Sequence, residues 1–275
     1  MSDIETPSGK NEETENFPVA RFVRATLQPH VMAFYTFARA ADDISDNPLL
    51  EPEDKIKRLD AFATALLDKN DNSILSVIPL RESLQKTKVT AQHALDLLTA
   101  FKRDATKLRY ENWDELLDYC RYSASPVGRH VLALHGIGKE AWESNDALCS
   151  ALQIANHLQD CADDYRELNR VYIPLDIMKD CGAQEGDLAA PKTSPALRQT
   201  IDNMLEKLHP MIKKGSKLPT HIPDTLLKID TSVISVIAQY LEDILRERDP
   251  LCDTVKLSKT KKLRAVLVGA VKAYL

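Results

Sequence analysis

Residues 153–174 read "QIANHLQDCADDYRELNRVYIP". Three aspartates, Asp160, Asp163 and Asp164, fall within five positions. The run before them, "ALCSALQIANHL" (147–158), repeats apolar residues at three- and four-residue spacing, which is the period of a helix with a core-facing side. Asp160 and Asp164 stand four apart, so both carboxylates share one helix face. Like charges at that spacing repel by about 0.2–0.5 kcal/mol even on an exposed helix, and by more where water is excluded. Such a pair beside apolar residues calls for a compensating cation. The stretch then leaves the helix through Arg-x-Tyr-x-Pro, where Pro174 fixes the turn.

The same period extends outward in both directions. Residues 28–46 carry Val31, Phe34, Tyr35, Ala38 and Ala41 at helical spacing. Segments 53–67, 72–86, 90–107, 113–136, 144–167, 194–214, 220–247 and 258–273 repeat the pattern, with breakers between them: "DNP" at 46–48, Pro174, "PKTSP" at 191–195, "KKGSK" at 213–217 and Pro250. No alternating strand pattern of useful length and no repeat of 20–50 residues occurs. The expected fold is all-α, a single helical domain over 16–275, preceded by a disordered acidic leader over 1–15.

Composition narrows the function. Hydrophobic residues make up 44% of 275, enough for a sizeable core. The eight glycines form neither GxGxxG nor GxxxxGK[ST], so a Gly-rich nucleotide loop is excluded. A net charge of −5 argues against nucleic acid as a partner. Five cysteines, an odd number without CxxC, read as free thiols of a reducing cytosol, so the protein is expected to be cytoplasmic. The acidic start lacks the apolar core of a signal peptide, and no apolar run reaches the length of a membrane span.

A second acidic cluster answers the first. "RAADDISDN" holds Asp42, Asp43 and Asp46 in a DDxxD pattern, against DxxDD in "QDCADDYR". Hard divalent cations prefer carboxylate oxygens, and Mg2+ takes only one or two of them, completing its shell with water and phosphate. Two facing clusters would hold Mg2+ around a diphosphate. The alternative of solvated helix ends fits one cluster better than two, each embedded in apolar helix. A di-iron bundle needs Glu-x-x-His on two helices; only Glu206 to His209 is present, and Pro210 ends it.

At these motifs the sequence resembles the squalene/phytoene synthase family, from about Asn16 to about Leu263. "YTFARAADDISD" (35–46) resembles its first aspartate-rich motif, and the opening stretch resembles its second. "RDATKLRY" (103–110) and "YCRYSASPVGR" (119–129) resemble the segments between. Within the family, "ENFPVA" (15–20) and "RYSASPVGR" (121–129) look most like the subfamily that makes hydroxysqualene in bacterial hopanoid pathways. Condensing relatives usually have Val-Ala-Gly where this chain has Ser123-Ala124-Ser125. The chain also departs from the subfamily at Gln28, where the pattern has Arg.

The resemblance implies an all-α isoprenoid synthase fold around a central cavity, with Mg2+ bridging the two motifs to a prenyl diphosphate. In the subfamily the substrate is presqualene diphosphate. Ionisation, cation rearrangement and water capture then give hydroxysqualene. Asp42, Asp46, Asp160 and Asp164 are the metal-ligand candidates, with Asp43 and Asp163 beside them. Arg39, Arg109 and Arg170 are candidates for the diphosphate, because a guanidinium fork matches its oxygens. Gln153, Asn156 and Tyr172 would orient substrate, metal-bound water or a carboxylate. The faces of Phe17, Phe34, Tyr35, Phe37, Tyr119 and Tyr122 could stabilise carbocations. Tyr119, Ser123 and Ser125 would place the capturing water. His157 reads as a packed core residue. A condensing synthase, joining two prenyl diphosphates, is the neighbouring alternative. A non-catalytic assembly protein of the same fold would be expected to have lost motif aspartates, and this chain keeps both sets.

The last helix stands apart. Residues 256–275, "KLSKTKKLRAVLVGAVKAYL", hold six basic residues and no acidic one. Leu263, Val266, Leu267, Ala270 and Val271 form an apolar stripe, expected to dock on the core, with peripheral contact to anionic lipid as the sharper alternative.

Overall fold

Helix ends follow local chemistry in the computed structural model, which describes residues 4–8 and 23–274. Pro29 and Pro52 stand in the first turns of α1 (Gln28–Asp46) and α2 (Pro52–Leu67), where a missing N–H costs no hydrogen bond. After α3 (Val77–Thr87) and α4 (Gln92–Thr106), the Asn112 side chain caps α5 (Trp113–Ser123) by accepting from Glu115 N at 3.0 Å. Ser194, Asp224 and Ser258 do the same for α10 (Pro195–Gly215), α11 (Thr225–Glu247) and α12 (Lys259–Lys272). The remaining helices are α6 (Ser125–Leu134), α7 (Trp142–Gln159), α8 (Cys161–Leu168) and the short α9 (Leu175–Asp180).

Two segments expected as single helices are each two. The 113–136 segment breaks at Ala124, before Ser125-Pro126. Pro126 has no N–H to give and its ring crowds the preceding turn, so the helix restarts there. The 144–167 segment breaks at Asp160, whose φ of −103° and ψ of 9° leave the helical region. One of the motif aspartates therefore sits at a joint. Helix α8 stops at Asn169, in the left-handed region at φ 52°.

No strand occurs among the described residues, but one isolated parallel bridge pairs Arg109 with Val171. Around it Val171 N donates to Leu108 O at 2.9 Å and Leu175 N to Tyr110 O at 2.9 Å. The "KLRY" and "RVYIP" segments are thus laid side by side, 60 residues apart in sequence.

Buried apolar residues form two clusters. One is built by α1–α4 around Phe37, Phe62, Leu59 and Leu97. The larger is built by α5–α12 around Leu116, Ile154, Leu205 and Leu241. Within it α7 and α10 approach closely at Gly215, where a Cβ would meet the Leu148 backbone at 2.8 Å.

Two features depart from or extend the sequence reading. The stripe of α12 docks on the core only in part: Val266 packs against it half-buried. Ala265 and Gly269 are buried while Leu263, Leu267 and Val271 are more than 60% exposed. Small residues let the helix backbone meet α11 directly, since a Cβ on Gly269 would lie 2.6 Å from the Val233 Cα. Of the acidic leader, residues 4–8 are placed against the first cluster. Ser8 donates to Asp43 through its N and Oγ at 2.9 and 2.7 Å, and Arg58 donates to Ile4 O at 3.0 Å. The rest of the leader, with Phe17 and "ENFPVA", lies outside the described residues.

Candidate active site

Between the two apolar clusters lies a cavity of about 460 Å3. Asp42 and Asp46 enter from α1, Asp104 from α4 and Tyr119 from α5. Gln153, Asn156, His157 and Asp160 enter from α7 and its joint, and Asp163, Asp164 and Glu167 from α8. Arg170, Tyr172 and Lys256 close it. Of the candidate metal ligands, five of six therefore face one space.

Arg170 ties the walls together. Its guanidinium donates to Asp46 Oδ1 at 2.6 Å, to Ser45 O at 2.9 Å and to Asp104 O at 3.2 Å, with its side chain 6% exposed. Beneath it Asp104 is fully enclosed and accepts the hydroxyls of Tyr119 at 2.8 Å and Tyr172 at 2.9 Å. Burial pushes Asp104 up to about 6, against the opposing pull of Arg170 and the two hydroxyls. The Tyr172 ring stacks on His157 with centroids 3.6 Å apart, and Tyr110 stacks on its other neighbourhood at 5.6 Å. Gln153 Nε2 lies 3.1 Å from His157 Nε2, and Asp164 Oδ2 lies 3.7 Å from His157 Nδ1.

The set is short of positive charge. Seven carboxylic side chains line the cavity against Arg170 and Lys256, with His157 as a third, titratable partner. Burial and then the neighbouring Asp164 push Asp160 above its ordinary range, while His157 and Lys256 pull it back. Among the described residues no three His, Cys, Asp or Glu side chains converge to hold a metal ion by themselves. The donor chemistry suits Mg2+, a hard cation that uses few carboxylates and draws its other ligands from water and phosphate.

Several candidates lie elsewhere. Asp43 turns away from the cavity: it is buried, accepts from Ser8 and pairs with Arg39 Nε at 3.0 Å. Arg39 also pairs with Asp42 and does not line the cavity. Arg109 pins the bridge instead, donating to Glu185 at 2.6 Å and to Asn169 Oδ1 at 2.9 Å. Phe34 stacks on the buried His130 at 4.0 Å, and Phe37 packs on Phe62, both inside the structure. Tyr35 is half-buried on α1, outside the cavity lining. Tyr122 lies under the Arg103 guanidinium at 4.6 Å and lines a separate cleft with Arg129 and Trp142. The Ser123 hydroxyl is buried without a partner, and Ser125 is 1% exposed. Neither serine reaches the acidic cavity. Gln28 donates to Val23 O at 3.2 Å at the start of α1.

Sequence reasoning missed Asp104, Glu167 and Lys256, and it set His157 aside as packing. Only Asp104 had a signal, in the "RDATKLRY" motif. A second cavity, of about 140 Å3, follows along the same helix: Asn145, Leu148, Cys149 and Leu152 of α7 face Val127 and Val131 of α6 and Leu227 and Ile234 of α11. Its one carboxyl is Asp230, whose Oδ1 is buried without a partner and which burial pushes up to about 7.

Helix α7 thus lines both a polar, acid-lined cavity and a separate apolar one, in a frame without strands among the described residues. The sequence matches the squalene/phytoene synthase family model over residues 10–263. The chain belongs to the squalene/phytoene synthase family. Hydroxysqualene synthase from Zymomonas mobilis is 44% identical, over 96% of this chain and 89% of that one. Hydroxysqualene synthase from Rhodopseudomonas palustris is 43% identical, over 93% and 88%. Chloroplastic phytoene synthase from Cucumis melo is 25% identical, with 61% of its length covered. Among solved structures, squalene synthase HpnC from Alicyclobacillus acidocaldarius superposes with a TM-score of 0.75 at 29% identity, covering 83% of this chain and 86% of that one. A dehydrosqualene synthase at 21% identity shares the fold, with a TM-score of 0.75. The protein is an enzyme of this family, most like its hydroxysqualene synthase subfamily, and its fold is the all-α isoprenoid synthase fold.

Proposed function

We propose that the protein converts presqualene diphosphate to hydroxysqualene and diphosphate, in a Mg2+-dependent reaction. The observation that carries this reading is the meeting of both aspartate motifs in one cavity, with a separate apolar cavity lined by the same helix, α7. The names of the relatives at 42–44% identity support the choice of product.

Asp42, Asp46, Asp160 and Asp164 would hold Mg2+, with Asp163 at the rim. Bound there, Mg2+ supplies a Lewis acid against diphosphate oxygens. The chain's own groups do the rest. Arg170 holds Asp46 in place and adds positive charge beside the leaving group. The C–O bond to diphosphate breaks with its electron pair staying on the diphosphate oxygen. The resulting carbocation is flanked by the Tyr119 and Tyr172 rings, whose hydroxyls are both engaged by Asp104 and so are turned from the cation. The apolar cavity along α6, α7 and α11 takes hydrocarbon and excludes bulk water. The cyclopropylcarbinyl cation rearranges with opening of its ring, a single water then forms the new C–O bond, and its proton passes to the released diphosphate. Gln153 and Asn156, on the cavity wall, are the residues to position that water. The free cysteines fit a cytoplasmic enzyme, and a C30 product fits one that works at a membrane surface.

Purified protein incubated with Mg2+ and presqualene diphosphate should release an alcohol and diphosphate. Recovery of unchanged presqualene diphosphate, together with consumption of farnesyl diphosphate alone, would identify a condensing synthase instead.

A further inference from the structure

We propose that α12 docks the protein on an anionic lipid surface through the face opposite its contact with α11. Leu263, Leu267, Val271 and Tyr274 are 62%, 63%, 61% and 74% exposed. At 100° per residue the three within α12 fall within about 80° of arc, Tyr274 follows in the turn after the helix, and Ala265 and Gly269, on the α11 side, lie across the helix. The α11-facing side thus carries small residues with half-buried Val266 and Val268, while Leu263, Leu267 and Val271 face outward. No helix among the described residues is long and apolar enough to cross a membrane, so the arrangement is that of a helix lying in an interface.

Charge selects the occupant. Lys259 and Arg264 border the stripe, Lys261 lies further round the exposed side, and 256–275 has no acidic residue in a chain of net charge −5. Lys259, Lys261, Lys262 and Arg264 form no ion pair with a described carboxylate. A second copy seated on this face would bring two such basic sets together, which disfavours a dimer. Anionic headgroups with acyl chains beneath them satisfy both the basic border and the stripe. Lys256, three residues before α12, lines the acidic cavity, so the helix is joined in sequence to the site. The proposal deepens the reading above but rests on the helix rather than on the reaction, because binding is measured without substrate.

The test is co-sedimentation of the full chain with phosphatidylcholine vesicles, with and without phosphatidylglycerol. The protein should pellet with the anionic vesicles and be released by high salt. Replacing Leu263, Leu267 and Val271 by Ser together should lower partitioning by about tenfold or more, with the helical circular-dichroism spectrum and turnover of detergent-dispersed substrate retained. Wild-type protein staying in the supernatant, pelleting equally with neutral vesicles, or pelleting undiminished as the triple variant would overturn the proposal. So would a dimer by light scattering that the triple variant abolishes.

Discussion

Asp43 and Asp46 are three residues apart in one motif, yet they face different worlds. Asp46 meets Arg170 across the cavity, while Asp43 is sealed under Ser8 and Arg39. Asp43→Ala should therefore cost about 1–3 kcal/mol in stability, read by urea denaturation, and leave the Mg2+ requirement near wild type. Asp160→Asn should do the reverse, lowering turnover by about 10²-fold or more with little change in melting temperature. Equal loss of turnover in both variants would contradict this division. Asp230 gives a third contrast. Its carboxyl is neutral when folded up to about 7, against an ordinary 3.8. The unfolded chain thus ionises first, and stability falls as pH rises between those values. Asp230→Asn should remove that slope and raise stability at pH 8 by about 2–4 kcal/mol, measured by denaturation at pH 5 and pH 8. The motif aspartates were legible because their spacing is local. Lys256 was not, because it joins the site only through tertiary packing, and Asp104 was passed over although its motif was noticed. Arg109 is engaged at the backbone bridge, because a guanidinium beside a motif serves a bridge as well as it serves a phosphate.

Helices were legible wherever a large apolar stripe recurs, and their joints were not. The breaks at Ala124 and Asp160 follow from single residues, a proline and a motif aspartate, that a periodicity window averages away. The face of α12 was read only in part for a related reason: Val266 packs on the core, but Leu263, Leu267 and Val271 do not. Apolar stripes are read from large side chains, but close helix pairs bury small ones. Gly269→Val makes the point testable, since its side chain would fall on the Val233 backbone. It should destabilise the α11–α12 contact by about 1–3 kcal/mol, seen as earlier proteolytic cleavage between 248 and 258 while the remainder resists. Unchanged cleavage would mean that the two helices do not meet as closely as described.

The whole molecule is two apolar clusters with a charged cavity at their meeting, and Arg170 is the residue that spans the seam. Arg170→Met would leave Asp46 and the Asp104 carbonyl without that partner. It should cost about 2–4 kcal/mol in denaturation, and it should weaken turnover beyond the loss of folded protein. The all-α frame and the pairing of the two motifs could be anticipated from the chain. The seam could not, because nothing in the sequence marks where one cluster ends and the other begins. In the proposed function this cavity ionises presqualene diphosphate and lets one water in. The most direct measurement is product analysis after incubation with presqualene diphosphate in 18O-enriched water, with Mg2+ or with chelator. Hydroxysqualene carrying one 18O atom, formed only with Mg2+, is the predicted result. Untouched presqualene diphosphate, or an alcohol formed equally in chelator, would contradict it.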